Sequence, residues 1–62
     1  MNNMTQLINN TVEARAKEIV EFVTLEDMSI DWAIEYVKNS TTLSPQSMER
    51  VIARAKEMIE AE

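Results

Sequence analysis

Apolar residues recur along this chain at helical spacing, in three separate runs. Val12, Ala16, Ile19, Val20 and Val23 follow at intervals of 4, 3, 1 and 3, with Ile8 on the edge of the stripe. That pattern predicts a first helix over about residues 4–26. Phe22 lies off the stripe, on the side that carries Met4 and Ile8, and is expected at the edge of the core. In the second run Ile30, Ala33, Tyr36 and Val37 share one face, and Trp32 and Ile34 flank it on opposite sides. The resulting apolar arc is about 200° wide on a short helix of about residues 30–39, and so wide an arc asks for cover on two sides. The only Trp and Tyr sit in this run, and their spacing assigns both to the core, with Trp32 towards its edge. Met48, Val51, Ile52, Ala55, Met58 and Ile59 form the third stripe and predict a helix over about residues 45–61.

The connecting residues support the same division. Asn10 followed by Glu13 has the form of a capping box, which suggests a firm start of the first helix at Thr11 behind a frayed turn. Asp27, which tolerates the left-handed conformation, is expected to reverse the chain after that helix. Ser29 is a good N-cap for the second helix, and Asp31 and Lys38 suit its dipole. Asn39 is expected to end it, with a loop at 40–43 and Leu43 turned inward. Ser44-Pro45, a cap residue followed by proline at the first helical position, starts the third helix at Pro45. Glu57, Glu60 and Glu62 lie at the negative end of that helix, where its last turn should fray. The chain has no glycine. Tight Asn-Gly and Asp-Gly hairpins are therefore unavailable, which favours an all-helical fold. The expectation is all-α: a small three-helix bundle forming one domain over 1–62, frayed at 1–4 and 61–62.

Size changes the picture. Sixty-two residues bury only about 60% of their unfolded surface, so the core is marginal. Cysteine and histidine are both absent. This rules out a disulfide staple and leaves only carboxylates as metal ligands, so neither metal nor cofactor is expected. A second subunit is the remaining aid. The predicted helices are about 34, 15 and 25 Å long, so Met4, Leu7 and Ile8 overhang the short second helix. A homodimer is expected, with Met4, Ile8, Phe22 and Trp32 as contacts. Segments 12–22 and 51–61 also echo each other, with seven of eleven positions identical. Strong helix formers converge on such strings, but the echo places Ala16 and Ala55 at the centre of both flanking stripes. Small residues there invite close approach by a bulky neighbour, for which Trp32 and Tyr36 are candidates.

The formal net charge is −5, which opposes non-specific adhesion to nucleic acid or anionic membranes. The first residues form neither a signal peptide nor a membrane span, so a cytoplasmic location and no membrane partner are expected. No histidine is present to activate a serine, and no glycine to cradle a phosphate. The reading is non-enzymatic.

Six carboxylates, Glu18, Glu21, Glu26, Asp27, Asp31 and Glu35, fall in a stretch with no basic residue, whereas Arg50, Arg54 and Lys56 fall in one with no acidic residue. The acidic corner is the candidate site for a protein partner. It suits a small adaptor, inhibitor or regulator, a class that includes many bacterial and phage accessory proteins. An alternative starts from Ser44-Pro45-Gln46-Ser47 opening the third helix, which is similar to recognition helices of bacterial helix-turn-helix regulators. That resemblance implies DNA contacts by Gln46, Ser47, Arg50 and Arg54. The connection from Asn39 to Ser44 is longer than the usual three- or four-residue turn, and the acidic charge also opposes it. A third reading is a simple dimerisation module.

Overall fold

The computed structural model describes residues 3–61, and of Asn3 and Thr5 the backbone alone. It contains three α-helices and, among the described residues, no strand. They are α1 (Asn3–Thr24), α2 (Ile30–Ser40) and α3 (Pro45–Glu60). The Cα trace measures 39 × 25 × 15 Å.

The organising element is α1. Both α2 and α3 pack on it, α3 over the greater extent. The core draws Val12, Ala16 and Ile19 from α1, Ala33 and Val37 from α2, and Met48, Val51 and Ala55 from α3. Three of these eight are alanines, so the helices meet through a thin layer of side chains, and the largest fully buried ones are Ile19, Val37 and Val51. Leu43 is partly buried against this core, as its place before Ser44-Pro45 suggests.

Local chemistry accounts for the helix ends. Ser29 accepts the Trp32 N–H at 3.1 Å, and Ser44 accepts the Ser47 N–H at 3.2 Å, each side chain satisfying an orphan donor of the first turn. Pro45 follows its cap at the position where its missing N–H costs nothing. At the C-terminus of α1 the Leu25 N–H still bonds to Glu21, but the Met28 N–H returns to the Phe22 carbonyl at 3.0 Å. Asp27, at φ 58°, provides the reversal between them. Asp27→Gly is expected to raise stability by about 0.5 kcal/mol, relief of the left-handed penalty being partly offset by a more flexible unfolded chain. Urea unfolding of the two proteins measures it.

Several expectations need correction. The first helix ends at Thr24, two residues early, because Leu25 and Glu26 already belong to the turn. It is continuous from Asn3, so Thr11 is not its start. The Thr11 hydroxyl bonds back to the Leu7 carbonyl at 3.0 Å, as an interior helical residue does. Met4 lies within α1, and Ala61 caps α3 by donating its N–H to the Glu57 carbonyl. The expected fraying of residues 1, 2 and 62 lies outside the described residues. The second helix extends to Ser40, and the third stops at Glu60.

The largest correction concerns the aromatics. Trp32 and Tyr36 are 42% and 48% exposed and do not form the core. The reason is the arrangement of cover. Ile34 turns towards Pro45, Met48 and Ile52 of α3, whereas the opposite flank of α2 meets only the end of α1.

Candidate functional site

On that flank Phe22, Trp32 and Tyr36 form a three-ring cluster. Trp32 and Tyr36, one helical turn apart, stack with centroids 5.3 Å apart and planes 17° from parallel. Phe22 meets both edge-on, at 5.3 and 5.0 Å. Each such contact contributes about 0.5–1.5 kcal/mol beyond burial, so the cluster clamps the α1–α2 corner while leaving ring surface in water. Since the rings already touch, no cation fits between them, and only their outer faces are available to a ligand.

Beside the cluster runs an open groove of about 410 Å³, lined by Glu18, Glu21, Phe22, Leu25, Glu26 and Tyr36. Its floor is apolar, and Leu25 is 73% exposed. Every charge on its rim is a carboxylate. Glu18 is ion-paired with Arg15 one turn earlier. Glu21 and Glu26 have no ion-pair partner among the described residues. Three of the six residues of the acidic corner thus come together around an apolar floor. Asp27, in the reversal, and Asp31 and Glu35, on α2, do not line it. Leu25 and Tyr36 were not assigned to a site by spacing. Leu25 carries the only available signal, an apolar residue beyond the last core position of α1.

The basic stretch is used differently. Arg54 Nε donates to Glu13 on α1 at 2.6 Å, and its Nη1 lies 3.8 Å from Glu57. The hydrogen bond to Glu13, then that carboxylate's charge, raises the guanidinium further above its ordinary value. Arg50 donates to the Asn9 side chain at 2.5 Å. Both arginines therefore tie α3 to α1 along a second, polar groove. The Ser47 hydroxyl takes a hydrogen bond from its cap partner Ser44, and Gln46 stands exposed. The longer α2 leaves only residues 41–44 as connection. That falls within helix-turn-helix range and removes one objection to the resemblance. The α2–α3 pair, however, does not pack closely; both lean on α1.

Among the described residues no three carboxylates converge closely enough to hold a metal ion, and no helix is long and apolar enough to cross a membrane. Of the four expected dimer contacts, Met4, Ile8 and Trp32 are exposed and Phe22 is half-buried. Compared with protein-family models, curated proteins and solved structures, the chain matches none of them.

Proposed function

We propose that this is a small non-enzymatic helical protein that acts as an adaptor, inhibitor or regulator by binding another protein, with a homodimer as its working form. The observation that carries this reading is the groove at the α1–α2 corner, where Phe22, Leu25 and Tyr36 offer exposed apolar surface and Glu18, Glu21 and Glu26 supply all the charge. An apolar floor with a charged rim is the general anatomy of a docking site: the floor supplies affinity, and the rim selects against partners of like charge. Neutral or basic segments fit this one, and acidic segments do not.

The duplex-binding alternative is favoured by the four-residue connection 41–44. Against it, Arg54 and Arg50 are already engaged by Glu13 and Asn9, and those bonds would have to break before either reached a phosphate. No duplex retention is expected even at low salt.

The test is capture from extracts of the native host with wild-type bait and with Glu21→Lys/Glu26→Lys bait. Both positions are exposed, so the fold is unaffected, which circular dichroism checks. Proteins held by the wild type should be lost on the double reversal and kept on a control reversal, Lys56→Glu. Identical capture by all three baits would overturn the reading.

A further inference from the structure

Part of the exposed apolar surface falls along one line. At 100° per residue, Leu7, Thr11, Ala14, Glu18 and Phe22 lie within about 80° of one another on α1, on the side away from Glu13 and Val20, and Leu25 follows in the turn just past the end of the helix. The spacings of 4, 3, 4 and 4 along the helix are those of a helix-pairing seam. One end of the seam is the overhang, with Leu7 66% exposed. The other end is the acid-rimmed groove, and the middle holds the small, exposed Ala14.

Two further observations point to what covers it. Residues 1–12 carry no charged side chain, although the chain as a whole has a net charge of −5. The overhang is therefore a part of a second copy that can approach Glu18, Glu21 and Glu26 without adding like charge. The surface area agrees. A compact protein of 7.1 kDa exposes about 4,100 Å², and this chain exposes 4624 Å². The excess, roughly 500 Å², reflects an extended shape with uncovered surface.

We propose that two copies pair antiparallel through α1, about a two-fold axis near Ala14 and Arg15, so that Leu7 of each copy enters the groove of the other beside Phe22. The same register sets Met4 against the partner's Leu25 and Thr11 against the partner's Glu18. Leu7 and Phe22 are about 22 Å apart along α1, so both ends engage at once and each apolar patch covers the other. Arg15, bound to its own Glu18, sits at the axis, where it also faces the partner's Glu18. The proposal rests on reading the groove as a protein-docking surface and names its occupant. An outside partner then competes with the second copy.

The absence of cysteine makes the register testable. Chains carrying Leu7→Cys and Leu25→Cys are treated with a short bismaleimide, separately and mixed. Antiparallel pairing holds like positions about 22 Å (Leu7) and about 31 Å (Leu25) apart, so the mixture should cross-link to twice the chain mass and neither chain alone should. By sedimentation the wild type should be a dimer, and Leu7→Glu, an exposed substitution, a monomer of unchanged helicity. A monomeric wild type, cross-linking of either chain with itself, or a dimer indifferent to Leu7→Glu would each overturn the pairing. If pairing fails while capture still depends on Glu21 and Glu26, the docking reading stands. If pairing holds while capture ignores those glutamates, the outside partner is removed instead.

Discussion

Ile19→Ala should cost about 3 kcal/mol, a large share of the stability of so small a domain. Ile19 is fully inaccessible and one of the three largest side chains in the core. Truncation removes three methyl or methylene groups and leaves a cavity among residues of all three helices. A thin core with three alanines has little freedom to collapse into it. At about 0.05–0.15 kcal/mol per residue, a domain of this size has roughly 3–9 kcal/mol in total, so the loss ranges from a third to all of it. Urea titration followed by far-UV circular dichroism, at a concentration low enough to keep chains apart, measures the change. A loss under 1 kcal/mol would mean that Ile19 is not a central core residue.

The opposite change, adding volume, should be nearly as damaging at Ala55. Ala55→Leu places three extra carbons where α3 lies against α1 and no side-chain surface is accessible. Overpacking of this kind costs about 1–3 kcal/mol, here by forcing apart the two helices in most extensive contact. The melting temperature should fall by about 10 °C for a loss near 2 kcal/mol. Ala53→Leu makes the same chemical change two residues away, on the exposed side of α3, and should stay within about 0.5 kcal/mol of wild type. Equal effects at the two positions would show that α3 does not present this face to α1.

Much of this was legible residue by residue. The three stripes located the helices because a 3.6-residue period is a property of the backbone and needs no knowledge of neighbours. Ser44-Pro45, Ser29 and Asp27 marked the ends for the same reason: caps and reversals satisfy backbone groups close by in the chain. The buried alanines were also visible, as Ala16 and Ala55 at the centres of echoing stripes. The groove was legible only in part. The acid-only run located Glu18, Glu21 and Glu26 but could not separate them from Asp27, Asp31 and Glu35, because charge along a chain does not say which side of which helix faces which.

The aromatics show where local pattern stops. An apolar arc of about 200° on α2 states that its side chains prefer cover. It does not state how much cover two neighbours provide. Helix lengths and the packing of both other helices on α1 leave one flank of α2 against the end of α1, so Trp32 and Tyr36 stay partly exposed and Tyr36 lines a groove. The arginines show the same limit. Arg50 and Arg54 read as a basic stretch along the chain, yet Asn9 and Glu13 lie 41 residues away in sequence and within hydrogen-bond reach in space. The sequence by itself therefore determined the elements and their ends, which depend on bonds within one turn. Only the tertiary structure decided which apolar surface stays open and which charges are already engaged, since both depend on how the three helices share a core too small to cover them all.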